Sequence, residues 1–368
     1  MVNLLNFRVI TLLLLFASLL HAEFEYSVEN TNLTLFGDYN YDRVRFRGDY
    51  VYDALFGTFI ADGVNYYGEE YSNSMEFYYL VHHTSDTPFQ TQSSLYEYEA
   101  GRSYAKLYRA YLGYEDDAQR VLFGLQNISM GVGHIWTPTN LFNPKNIYSL
   151  EPDEILGVFA LSYLYHLSDT SDMMLVLSQK EDNSLKYAFR YKSYSEFADF
   201  ALSGISSDTL KMLGYEIEGN LGESGVELRS EGSYFSFEDR DIFEAIVGAE
   251  YAFEDGLTLL AEALYSSEIF SYSEILFHLD SEIATHLHSA HFYTALHLSY
   301  SFNIFLDSSL LYIESFGDAP SRYIAPTLSY TLNDYNTFTL GAMLYNGDAK
   351  SEFGMFESSY YLKWKLSF

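Results

Sequence analysis

The chain contains no cysteine, so neither a disulfide framework nor a thiolate site belongs to it, and an oxidising compartment has nothing here to cross-link. Basic residues are scarce, with 20 Lys and Arg against 51 Asp and Glu and a formal net charge of −31. A protein that grips a phosphate backbone needs clustered cations, so this balance excludes a nucleic-acid partner. Long apolar runs are missing as well. After residue 22 no stretch is continuously apolar, and a spanning helix needs ~20 such residues. Neither a Gly-x-Ser-x-Gly elbow nor a phosphate-binding glycine loop occurs. If the chain enters a membrane it must do so as a closed barrel, because lipid offers no partners to an open sheet edge.

What is present fits that architecture. There are 36 Tyr and 29 Phe, and aromatics make up 18% of the chain, as girdles at two membrane interfaces require. Arg8 followed by the leucine-rich run 9–20 and Ala22 reads as a signal peptide over 1–22, with the mature chain starting at Glu23. At the other end Tyr360, Leu362, Trp364, Leu366 and Phe368 alternate with Ser359, Tyr361, Lys363, Lys365 and Ser367. Successive side chains of a strand point to opposite faces, so one face is apolar and the other polar. A strand of this kind ending in Phe resembles the signal read by the outer-membrane barrel-assembly machinery.

Period-two segments recur along the chain. Val226, Leu228 and Tyr234 oppose Glu227, Arg229 and Glu231, and Phe292, Leu296 and Leu298 oppose Tyr293, Ala295 and His297. Tight turns are expected at 169–171, 181–184, 254–256 and 333–335, and longer polar loops at 55–73, 84–101, 133–155, 267–290 and 345–356. The predicted fold is all-β: a transmembrane antiparallel β-barrel over 23–368, of about 16 strands, with 14 and 18 as alternatives. Residues 23–31 read either as a tail or as part of the first strand.

Residues 120–157 stand apart. A strand from Arg120 to Gln126 is broken by Gly131 and Gly133, and three of the six prolines lie between 138 and 152. The run Gly124-x-Gln126, Gly131-x-Gly133, Trp136, Pro138-Thr-Asn-Leu-Phe-Asn-Pro144, followed by an acidic-proline segment at 151–154, resembles a family of proteobacterial outer-membrane porin-like proteins of poorly defined substrate. Leu125 and Met130 stand where that family commonly carries a basic residue and an aromatic. The resemblance covers roughly a tenth of the chain, implies a barrel and names no solute. A proline-stiffened loop carrying Trp136, Asn140, Asn143 and Lys145 either folds inward as a constriction or packs on the outer rim.

The charges suggest a pore wall. Arg43, Arg45 and Arg47 share one face of a strand, which should be the lumen, since Arg facing lipid at mid-depth costs ~2–4 kcal/mol. Arg109 and Arg120 join them, and Glu227, Glu231 and Glu250 are candidates for an opposing acidic wall. The pattern reads either as a transverse field across water or as internal salt bridges that stiffen the barrel. The acidic excess likewise reads either as a cation-attracting pore or as solvation of external loops. His286, His288, His291 and His297 lie near Asp280 and Glu282, but their spacing matches no established metal site, and polar lumen histidines are the better reading. No cofactor and no catalytic residue are expected. The expected activity is passive diffusion of small hydrophilic solutes across the outer membrane with a mild cation preference. The rivals are a non-conducting binding or adhesion barrel and an embedded lipase or protease. Expected partners are lipid, lipopolysaccharide and the assembly machinery. Porins of this type are often homotrimers, although no segment of this chain marks a trimer contact.

Overall fold

The computed structural model describes residues 23–36, 39–68, 85–143, 155–238, 240–278, 281–348, 351–354 and 356–368. The segment read as a signal peptide, Lys145, the acidic-proline stretch 151–154 and Asp280 lie outside the described residues.

Among the described residues nineteen strands form one antiparallel sheet. In chain order they are β1 Glu23–Leu35, β2 Tyr39–Tyr52, β3 Leu55–Tyr67, β4 Gln92–Tyr98, β5 Gly101–Glu115, β6 Gln119–Gln126, β7 Val158–Ser168, β8 Ser171–Gln179, β9 Leu185–Tyr194 and β10 Asp199–Ser206. There follow β11 Leu210–Asn220, β12 Val226–Phe237, β13 Arg240–Ala252, β14 Leu257–Ser266, β15 Phe292–Asn303, β16 Leu306–Ser315, β17 Ser321–Asn333, β18 Asn336–Asn346 and β19 Ser359–Ser367. Each strand pairs with the next, except that β3 pairs with β5, and β19 returns to β1 in the register Glu29↔Ser367 to Leu35↔Tyr361. The ring therefore closes with 18 strands and β4 is an extra one. β5 pairs with β6 over Ala110–Glu115 and with β4 over Gly101–Lys106, so β4 occupies the edge that β6 leaves when it ends at Gln126.

The ring thus takes the upper alternative, 18, rather than the 16 expected first. The stretch 55–73, expected as a polar loop, begins with β3, and β4 lies inside the expected loop 84–101. Gly57 shows why glycine did not mean a turn. A Cβ there would stand 2.8 Å from Leu112 Cδ2, so the residue marks close strand packing. Residues 23–31 belong to the first strand.

One rim carries both described chain ends and connections of only two to five residues, and the other carries the long connections 68–91, 127–157, 267–291 and 347–358. On every strand the alternation sorts faces. Leu112, Phe123, Leu202, Leu213, Val247 and Leu340 are exposed on the outside, while Arg229, Glu231, Glu244 and Glu262 are buried inside. Tyr26, Phe197, Phe302, Tyr335 and Phe368 gather exposed at the rim of the chain ends. A closed sheet with an apolar exterior and aromatic edges satisfies its backbone internally and meets lipid with its side chains. The interior is not empty. Ile128, Met130, Leu141 and Phe142 pack against Val176, Ile205, Met212, Phe235 and Ile242 of the wall, and Phe270, Ile283 and Leu287 complete the cluster.

Candidate channel constriction

The chain leaves β6 at Gln126, whose side-chain amide donates to Ala160 O at 2.8 Å and whose Oε1 accepts from Ser162 Oγ at 2.8 Å. It then crosses the interior. Glu231, on the inward face of β12, accepts from Val132 N (2.8 Å) and Gly133 N (2.9 Å) at Oε2, and from Thr139 N (2.6 Å) and Thr139 Oγ1 (2.7 Å) at Oε1. Glu262, on β14, accepts from His134 N (3.0 Å), Ile135 N (3.2 Å) and Trp136 N (2.8 Å). Seven donors of one loop thus converge on two carboxylates of the opposite wall. Charge-assisted bonds of this type are shorter and stronger than neutral ones.

The two glycines make this approach possible. Gly131 has φ +93°, and a Cβ there would lie 2.6 Å from both Glu231 carboxylate oxygens. A Cβ on Gly133 would stand 1.8 Å from Trp136 O. Asn140 and Asn143 hold the loop to itself. Asn140 Nδ2 donates to Asn143 O (2.8 Å), Asn143 N donates to Asn140 Oδ1 (3.1 Å), and Asn143 Oδ1 accepts from Ile128 N (2.6 Å). The Asn143 amide also donates to Leu156 O. Trp136 lies with its ring 6.0 Å from Tyr293 in a second buried cluster containing Ile246, Leu260 and Phe353.

The three arginines of β2 point inward, opposite the exposed Val44 and Phe46, and each meets an acid. Arg43 lies 2.9 Å from Glu29, Arg45 binds both oxygens of Asp62 at 2.7 Å, and Arg47 lies 2.5 Å from Asp49. Arg109 donates to Tyr108 O (2.7 Å) and Ile155 O (2.5 Å), and both it and Arg45 lie 4.2 Å from the centre of the Tyr108 ring. Arg120 sits 3.4 Å from Glu115 and over Phe56. Across the barrel Arg229 contacts Glu227 and Glu250, and Glu250 also contacts His134 at 3.2 Å. The interior thus combines a cation-rich wall on β2 and β5 with an acidic one on β12 to β14, part of which lies beneath the loop.

In a second segment, 267–291, the described residues also turn inward. It contains a short helix, α1 Tyr272–Phe277, capped by Ser271 and Glu274. Its Glu282 meets Lys180 Nζ at 2.7 Å and Lys186 Nζ at 2.8 Å, and Lys186 also donates to Leu141 O of the first loop at 3.1 Å. Burial works to raise the Glu282 pKa, but the two lysines overrule it and hold the carboxyl down at about 2. Lys180, at the β8–β9 turn, is correspondingly raised by its acidic partners against its own burial. His286 and His288 converge on Glu244 of β13, whereas His291 bonds Ser266 O and His297 lies on β15. The four histidines do not come together, and among the described residues no group of three ligands is arranged to hold a metal. Sequence alternation marks Glu244 and Glu262 as inward-facing, but the loop groups they hold depend on chain paths that alternation does not record.

Together the closed 18-strand ring, the apolar exterior and the in-folded loop define a transmembrane barrel of bacterial outer-membrane type, and the outer membrane is its location. Solved structures share the fold. OccAB1 of Acinetobacter baumannii superposes with a TM-score of 0.61 at 8% identity, covering 94% of this chain and 96% of that one. OccAB4 of the same organism gives 0.59 at 10%, covering 95% and 98%. OpdK of Pseudomonas aeruginosa, solved with vanillate, gives 0.56 at 9%, covering 94% and 98%. At these identities the likeness speaks for the fold. No protein-family model and no curated protein matches the chain.

Proposed function

We propose that the chain is a porin-like passive channel for small hydrophilic solutes, with residues 127–143 as its constriction. The observation that carries this reading is the loop fixed across the interior by Glu231 and Glu262, a construction that narrows a water-filled barrel without closing its wall. A mild cation preference follows from the rims. Interior acids meet arginines, lysines, histidines or loop N–H groups, whereas Asp53, Asp117, Glu223, Glu254, Asp255 and Asp334 are exposed on the turns of one rim and concentrate cations there. The wall of Arg45, Lys106 and Arg109 beside Tyr66 and Tyr108 sets cations against rings, chemistry that fits a ring-bearing carboxylate, so vanillate is a solute to test.

The rival is a non-conducting binding barrel, favoured by the apolar packing that fills part of the interior. Refolding the 23–368 chain into planar bilayers separates the two. Stepwise current with a cation-selective reversal potential in a salt gradient supports the channel. A correctly folded barrel that passes no current refutes it.

A further inference from the structure

The 267–291 segment is tied to the wall by a cluster that the constriction does not use. Glu244, on the inward face of β13 and 1% exposed, receives His286 Nδ1 at 3.0 Å on one oxygen. Its other oxygen lies 3.1 Å from His288 Nε2, a charge contact whose geometry falls short of a hydrogen bond. Both imidazoles are buried, His286 against the Phe235 ring at 5.0 Å and His288 against Tyr293 at 5.4 Å. From the 347–358 connection Glu352 accepts from Ser289 Oγ (2.8 Å) and from Tyr293 of β15. Arg240, at the start of β13, pairs with Glu274 at the outer end of the segment. From β12 the neighbour is the uncharged Phe235. Ile283, Leu287 and Ala290 ride on this attachment into the packed interior.

We infer that residues 267–278 and 281–291 form a second, pH-responsive lid on the lumen, held shut by Glu244 through His286 and His288. The inference rests on the channel reading for its consequence but not for its test. One carboxylate shared by two imidazoles is a tie whose strength depends on imidazole charge, and imidazole is the side chain that titrates near neutrality. The direction follows from His288. Burial works to lower its pKa, but Glu244, with Glu352 behind it, overrules burial and raises it above the ordinary 6.5. The attraction is therefore complete below about 6.5 and is lost as pH rises through the higher folded value. The lid closes in mild acid and loosens in alkali. An imidazole that binds its proton more tightly in the closed lid than in the open one makes the closed-to-open ratio larger in acid than in alkali.

The absence of cysteine makes the test specific. Ala290→Cys, at a site 1% exposed, is labelled in detergent micelles with a membrane-impermeant maleimide, normalised at each pH to Ser224→Cys on an exposed turn. The normalised rate should rise from pH 6 to pH 9, and His288→Gln in the same background should flatten it. A flat ratio with His288 intact overturns the lid. The unaltered chain supplies the second measurement, its conductance at both pH values beside that of His288→Gln. Conductance that rises with pH only when His288 is present supports the lid, and pH-independent current in both refutes it. Labelling that rises in a barrel without current refutes the channel and leaves the lid standing.

Discussion

Replacing Glu231 with Gln should release the constriction. The substitution keeps the side-chain volume but removes the charge and turns one acceptor oxygen into a donor amide. That amide would face the loop donors now at 2.6–2.9 Å. A hydrogen bond to a charged group contributes about 1.5–3 kcal/mol net. Four of them cannot be summed, because they share one carboxylate and water can reach a freed loop. Breaking a buried charged contact by removing one partner typically costs about 3–5 kcal/mol, and that is the range expected here. At ~1.4 kcal/mol per factor of ten, the pinned state would lose about two to three and a half orders of magnitude in population. In bilayers the variant should show larger unitary conductance with several noisy levels, and the bond after Trp136 should become accessible to protease. Gly133→Ala reaches the same outcome by another route, since its Cβ would collide with Trp136 O. Wild-type conductance and protection in both variants, with the barrel correctly folded, would refute the pinning argument.

Acid should loosen the contact between the two inward loops. Glu282 is depressed from 4.5 to about 2, so its contribution is complete above 4.5 and disappears as pH falls through about 2. That depression corresponds to at most about 3 kcal/mol. Glu282→Gln should remove that acid step, which proteolysis of the 267–291 segment between pH 5 and pH 2 would read. Asp62→Asn should leave Arg45 without its bidentate acid and move the reversal potential toward anions, and an unmoved potential would place Arg45 away from the ion path. Intact mass of the exported protein should match a chain beginning at Glu23, where β1 begins; retention of the first 22 residues would remove the signal-peptide reading.

The wall was readable because lipid and water impose a period of two on every strand. Phe292 and Leu296 fall outside while Tyr293 and Ala295 fall inside, as their alternation implies. The count failed where alternation was locally overridden. In β3 the outward positions Gly57, Ala61 and Gly63 are small, which imitates a loop in the sequence although the backbone is fully paired. The constriction was half legible. Gly131, Gly133 and Trp136 announce a backbone that must approach something closely, and the β12 pattern places Glu231 inside. Nothing local to either segment says that they meet, because the contact spans about a hundred positions and depends on where β6 stops. The same limit hid the attachment of the second segment. Sequence spacing set His286 and His288 beside Glu282, but the fold gives Glu282 to Lys180 and Lys186 and gives the histidines to Glu244. Short-range spacing decides which face a residue occupies. Which acid it meets across a barrel is decided by ring closure and by the height at which each strand ends.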